Sequence, residues 1–261
     1  GVPFSAATGG VVRVIGPEGI FKPKDFQFPL SITTSPNSPY QDAFSFDGYL
    51  HYKYRGTDPS HPDNVGLRET AVRNIPLVYF HGLLPGRYLA TWPAFIHGDD
   101  PVALQFSVAV DEKMLKPDQI VDDSQTSIRR QYATVLARHR IHQQAFRERV
   151  VAAYASTCAL CRLRHQELLD AAHIVPDTQP GGEPVVPNGL CLCKIHHAAY
   201  DQNIIGISPD YAVSVRTDIL EEIDGPMLKH GLQGIHGSVI IVPHRRRDHP
   251  DRDRLAWRFE Q

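Results

Sequence analysis

The hydrophobic rhythm of the chain changes partway along. Over the first part the apolar positions come in short runs, VVRVI (11–15), IPLVYF (75–80) and LQFSVAV (104–110). Runs of this length, rich in β-branched and aromatic residues and bounded by turn formers, predict strands. Between them stand Gly16-Pro17, Asp58-Pro59, His61-Pro62-Asp63-Asn64 and Pro85-Gly86. Turn signals this closely spaced favour a compact β barrel over a parallel sheet with crossover helices. Asn64 to Val72 reads as a helix interrupting it.

Lys116-Pro117-Asp118 and the polar stretch 122–126 break that pattern, which places a domain boundary near 112–126. Phe146, Val150 and Tyr154 then recur at helical spacing on one face. Between Arg129 and Arg149 there are six arginines and a single acid, Glu148. This helix leads straight into Cys158. After Asp201, IIGISPDYAVSV (204–215) reads as a hairpin. The rest reads as a mixed tail with a strand VIIV (239–242), a basic cluster Arg245–Arg247 and a short amphipathic end, LAWRFEQ. The expected architecture is α+β in three parts: a barrel over 1–115, a linker and helix over 116–140, and a second domain over 141–261.

Composition narrows the function classes. With 261 residues and 42% hydrophobic content, each of two domains can bury its own core. Charged residues are 21% and the net charge is −2, so a nucleic-acid surface has to come from local clustering such as the arginine-rich helix or Arg245–Arg247. No repeat or low-complexity segment is visible. Without a basic-then-apolar leader or an apolar run of about 18 residues, neither export nor a membrane span is expected, and the cytoplasm is the default. All four cysteines fall between 158 and 193, a clustering that favours metal binding in a reducing compartment over a disulfide framework.

Cys158 and Cys161 form a C-x2-C knuckle, and Cys193 with His196 repeats the two-residue gap. Together they make a four-ligand set for a structural Zn2+, whose closed shell leaves no position for substrate. Cys191 is the competing thiol, and in Gly-Leu-Cys-Leu it reads as a small buried residue. His173, Asn188 and His197 remain outside the zinc set.

In order, AAHIVP, PNG and C-x2-HH resemble the HNH (ββα-metal) nuclease pattern. There a strand carries the first histidine, a loop the asparagine and a helix the last histidine. Asn188 lies five residues before Cys193 and nine before His197, so the two half-sites interlock in the register of that family. The resemblance implies that His173 is the general base, Asn188 ties the loop so that the strand histidine faces the metal, and His197 ligates a catalytic Mg2+ or Mn2+. One departure matters: Ala172 stands where many members have an aspartate. Asp201, one turn beyond His197, and Asp170, two residues before Ala172, are the candidate replacements.

The first part of the chain resembles the SRA domain, a PUA-like barrel that reads modified cytosine by extruding it from the duplex. The resemblance rests on Tyr40-Gln41-Asp42 with Asp47 and Tyr54-Arg55-Gly56, on Asp63-Asn64 with Leu67, on Ile75-Pro76-Leu77-Val78, and on Pro85-Gly86-Arg87-Tyr88 with Trp92. It implies a pocket in which Tyr40 and Tyr54 cover a flipped cytosine and Asp42 or Asp47 accepts from its exocyclic amine. Tyr49 and Tyr52 read as barrel core. Arg55 departs from the usual threonine, and the gap from Tyr40 to Tyr54 is longer than usual, which leaves the choice of acid open.

The domain order is similar to that of the bacterial SRA-HNH modification-dependent restriction endonucleases. That likeness implies capture of 5-methylcytosine or 5-hydroxymethylcytosine in double-stranded DNA and cleavage nearby, leaving 5′-phosphate and 3′-hydroxyl ends. Cutting two strands needs two active sites, hence the expectation of a homodimer. Two other readings stay open: an unspecific or nicking HNH nuclease, and a modified-DNA reader that does not cleave.

Overall fold

The structure is a computed structural model describing residues 4–5, 11–12, 14–16, 19–36, 49–110 and 139–261. Tyr40, Asp42, Asp47 and nearly all of the expected linker lie outside the described residues. The chain divides into two compact units, Gly1–Ile141 and His142–Gln261, and the fold is mixed α/β.

In the first unit β1 (Phe4–Ser5) pairs with β2 (Val11–Val12). The expected strand over 11–15 is therefore shorter than its apolar run. The Val14 carbonyl is taken by the Ser31 hydroxyl, a side-chain bond in place of a ladder bond. The main sheet comprises β3 (Ile20–Phe21), β4 (Ser31–Thr34), β5 (Leu50–Lys53), β6 (Leu77–Leu84), β7 (Arg87–Asp100) and β8 (Gln105–Val110), in the order β3-β4-β6-β7-β8-β5. Among the described residues only β4 and β6 pair parallel. Among the described residues no ladder joins β3 to β5. The β6–β7 hairpin turns at Pro85-Gly86, where Gly86 adopts a φ of +77° that favours glycine.

Helix α1 (Pro62–Val72) starts earlier than its apolar pattern because Pro62 fits the first turn and the His61 ring accepts from the Asp63 amide at 3.2 Å. Its buried face carries Leu67 and Asn64. The Asn64 amide donates to the Arg55 and Asp58 carbonyls and accepts from the Arg55 amide, tying down the turn ahead of the helix.

The second unit contains most of α2 (helical over 139–153), β9 (Leu169–His173), β10 (Gly189–Cys193) and α3 (Lys194–Asp201). Strands β9 and β10 pair antiparallel, with Gly189 opposite His173 and Cys193 opposite Leu169. The expected hairpin follows as β11 (Ile205–Ile207) and β12 (Val213–Val215), then α4 (Thr217–Glu221) and α5 (Arg252–Phe259). Asp251 caps α5 by accepting from the Asp253 and Arg254 amides at 3.0 Å. Among the described residues no helix is long and apolar enough to cross a membrane.

Phe146 and Val150 of α2 and Tyr154 just after it are buried in one core with Leu169, Leu190 and Leu192 of the strands. Each such apolar side chain contributes about 1.5–3 kcal/mol of transfer free energy. The close approach depends on Gly189, since a Cβ there would meet Val150 Cγ2 at 2.4 Å and Phe146 Cζ at 2.9 Å. The expected strand over 239–242 does not form. Val239 makes one bridge to Ala212, the Ile240 amide donates to Tyr211 and the Ile241 amide to Ala159. The segment divides its hydrogen bonds between two partners, so no ladder propagates.

Candidate active site and metal centre

The turn after α2 and the β10–α3 junction bring four ligand atoms together. The thiols of Cys158, Cys161 and Cys193 and a ring nitrogen of His196 all lie within 4.8 Å of one another. Cys158 Sγ is 3.6 Å and Cys193 Sγ 3.2 Å from His196 Nδ1, and Cys161 and Cys193 are 3.9 Å apart. Bonds of 2.0–2.3 Å to a tetrahedral ion put ligand atoms roughly 3.5–3.8 Å apart, so this is a Cys3His set able to hold a metal such as zinc. His196 Nε2 is 2.7 Å from the Gly231 carbonyl, to which it donates, keeping the Nδ1 lone pair for an ion. Cys191 is not in the cluster. It faces the core, and burial pushes its thiol up to about 12.

His173 closes β9, and Asn188 immediately precedes β10. The Asn188 side chain is fully buried; its oxygen accepts from the Val175 amide at 2.9 Å, and its nitrogen donates to the carbonyls of Val175 and Glu183. With the Ile174 amide bonded to the Asn188 carbonyl, the loop that leaves His173 is tied at both ends. The His173 ring stacks on Phe146, and its Nε2 is buried with no hydrogen-bond partner among the described residues. Burial is the main cause holding its pKa below the ordinary histidine value; the carboxylates of Asp177 and Asp201 oppose that shift.

His197, on α3, stands between two carboxylates. Its Nδ1 is 3.5 Å from Asp170 Oδ2 and its Nε2 3.4 Å from Asp201 Oδ2. Asp170 raises the pKa of His197, and His197 in turn lowers that of Asp170. Asp170 is further held by the Ala171 amide at 2.9 Å and by Arg147 Nε at 3.6 Å. Both candidate acids thus meet the same imidazole, on opposite edges of the ring. Ala172 is wholly buried, so an aspartate side chain would leave water there.

Three contributors were not singled out for these roles from sequence: Phe146 beneath His173, Arg147 beside Asp170, and Gly231 behind His196. The helical repeat marks Phe146 as apolar, and no other signal in the sequence points to it.

In the first unit Tyr54 is 6% exposed and packs on Phe106 with ring centroids 4.6 Å apart. Its hydroxyl donates to Asp99 and accepts from Arg68 Nη2 at 3.0 Å, while the Arg68 guanidinium lies over the ring and pairs with Asp99. Among the described residues the acid beside Tyr54 is thus Asp99. Tyr49 and Tyr52 are buried, each 6% exposed.

Residues 158–208 match the family model described as HNH endonuclease. A solved structure described as "Modification dependent TagI restriction endonuclease" aligns at 16% identity over 89% of this chain and 81% of that one, with a TM-score of 0.31. No curated protein gives a significant sequence match. The chain carries an HNH endonuclease domain and is a nuclease.

Proposed function

We propose that the chain is a modification-dependent DNA endonuclease. In this reading an SRA-like barrel over 1–115 extrudes 5-methylcytosine or 5-hydroxymethylcytosine, 116–140 links it onward, and the nuclease domain over 141–261 cuts the duplex nearby. The observation that carries the nuclease half is the interlocking of Asn188, His173 and His197. Asn188 fixes the loop leaving His173, and α3 sets His197 beside the two acids.

His173 serves as general base, with Nδ1 taking the proton from the attacking water, because Nε2 is buried. Neutral at pH 7, it can accept that proton. His197 with Asp170, Asp201 or both offers the nitrogen and oxygen donors that suit a divalent cation such as Mg2+ or Mn2+. When bound, that cation supplies charge stabilisation at the phosphate. Cys158, Cys161, Cys193 and His196 would hold a structural Zn2+ that fixes the start of α3 relative to the knuckle.

The reader half rests on the sequence resemblance. Tyr54 is engaged with Arg68, so a base stacking on it displaces that guanidinium; Tyr40 and Asp42 or Asp47 complete the pocket. Cleavage of both strands calls for a homodimer acting on double-stranded DNA in a bacterial cytoplasm. The enclosure of Tyr54 favours one second reading, an HNH nuclease without modification dependence. Plasmids with and without cytosine methylation, incubated with Mg2+ or Mn2+, separate the readings: selective cutting supports the first, and equal cutting the second.

A further inference from the structure

We infer that the arginine turn Arg245–Arg247 is a docking surface for DNA backbone phosphates beside the active site, an inference that rests on the nuclease reading above. The three guanidinium-bearing residues are exposed and sit at the start of the short helical turn Arg246–Asp248. This turn is anchored. Ahead of it the Ile241 amide bonds to Ala159 beside the cysteine knuckle, and after it the Asp251 amide bonds to the Pro187 carbonyl at 2.9 Å. Tyr211 bonds the Pro250 carbonyl at 3.1 Å and supports the same stretch.

Through these bonds the turn packs against Val186–Asn188, which carries the asparagine of the nuclease motif and leads into the residue paired with His173. The basic cluster is far from His173 in sequence, but the fold packs it against the turn that leads into Gly189, the residue opposite His173.

Other arginines of this unit already have work within the fold. Arg147 holds Glu148 and Asp170, Arg149 the Pro184 carbonyl, Arg216 Asp218, Arg254 Glu183 and Arg258 the Tyr200 carbonyl. Arg245 and Arg246, like the exposed Arg162 and Arg164 of the cysteine knuckle, have no acidic partner among the described residues, but they stand next to each other on one anchored turn. Arg247 has only Asp248 at 3.7 Å and is 76% exposed. Three weakly compensated guanidinium groups on a fixed turn, in a chain whose net charge is −2, form a local cation patch of the kind that positions a polyanion. Guanidinium forks match phosphate oxygens, and such pairings set register without reading sequence.

The test measures duplex affinity against salt concentration for the full chain carrying His173→Ala, so that binding is followed without cleavage. Replacing the three arginines with glutamine should weaken binding at least tenfold near physiological salt. It should also lower the slope of log affinity against log salt by about 0.9 for each phosphate that is no longer neutralised, up to about 2.7. Replacing them with lysine should retain most of that slope, which separates loss of charge from loss of fold. Equal affinity and slope in the glutamine variant and its parent overturn the docking surface while leaving the nuclease reading standing. Failure of the parent to bind duplex at all overturns both.

Discussion

The His173 imidazole lies almost flat on the ring of Phe146, with centroids 4.0 Å apart and planes 19° from parallel. Phe146 belongs to α2 and His173 to the end of β9, so the proposed base is positioned by an element outside the ββα unit. Removing His173 tests that base most directly. His173→Ala should lower the cleavage rate by about 10²–10⁴, the range a positioned general base supplies, with metal content and melting temperature close to wild type. Substantial residual cleavage would send the proton to another group.

The same stacking sets the pH dependence. A general base works when neutral, and burial depresses the His173 pKa, so its protonated fraction grows only below the ordinary value of 6.5. Cleavage should therefore run with His173 mostly neutral at pH 7 and fail on an acid limb lying below 6.5. Phe146→Ala admits water to that face and should move the limb upward, whereas Phe146→Leu keeps an apolar cover and should move it little. The alanine variant loses about 3–5 kcal/mol of stability, so rates must be compared where it remains folded. A wild-type limb at or above 6.5 would contradict this account.

Much of the ββα unit was legible because its signals are local. Cys158 with Cys161 and Cys193 with His196 announce themselves by spacing, and Asn188 and His197 follow in register. The stack of Phe146 on His173 spans the whole knuckle and depends on Gly189 having no side chain, which is a fact of packing. Tyr54 meets Asp99 across 45 positions, a pairing that strand register creates and no short-range pattern encodes. The strand expected over 239–242 failed for a related reason: an apolar run promises burial, but a ladder needs a single partner strand, and here Tyr211 and Ala159 share the bonds.

The cysteine cluster gives a metal prediction. Purified protein should contain one zinc per chain, and stripping it should unfold the nuclease unit, because ion binding and folding are linked in such sites. Cys161→Ser should lose the metal. Cys191→Ala should keep it, since that thiol lies in the core away from the cluster. Zinc lost from Cys191→Ala with the fold intact would reassign the shell.

Asp170 and Asp201 flank one imidazole but are not equivalent. Asp170 is held by the Ala171 amide and Arg147, while Asp201 is 53% exposed and, among the described residues, has no comparable side-chain anchor. A preorganised carboxylate loses less freedom on ligating a cation, so Asp170→Asn should raise the Mg2+ or Mn2+ concentration for half-maximal cleavage by about ten- to a hundredfold, and Asp201→Asn by less. Metal titrations of cleavage check the order. Unchanged metal dependence in both variants would remove both acids from the cation site.

The reader is tested by the cost it has to overcome. Extruding a cytosine gives up a few kcal/mol of stacking and pairing, which aromatic faces and hydrogen bonds in the pocket must offset for methylated and plain cytosine alike. Selection then rests on the methyl group alone. One buried methyl is worth about 0.8 kcal/mol, or roughly a fourfold preference per site. Wild-type protein should accordingly favour methylated duplexes by several-fold in competition binding. Asp42→Asn with Asp47→Asn should abolish that preference while weak nicking persists at high enzyme concentration. Tyr54→Phe separates two roles for its ring: it deletes the hydroxyl bonded to Asp99 and Arg68 but keeps the aromatic surface. If the ring is the stacking face, selectivity survives that change and falls with Tyr54→Ala. Equal binding of methylated and unmethylated duplexes by the wild type across a range of salt would leave the unselective nuclease as the reading.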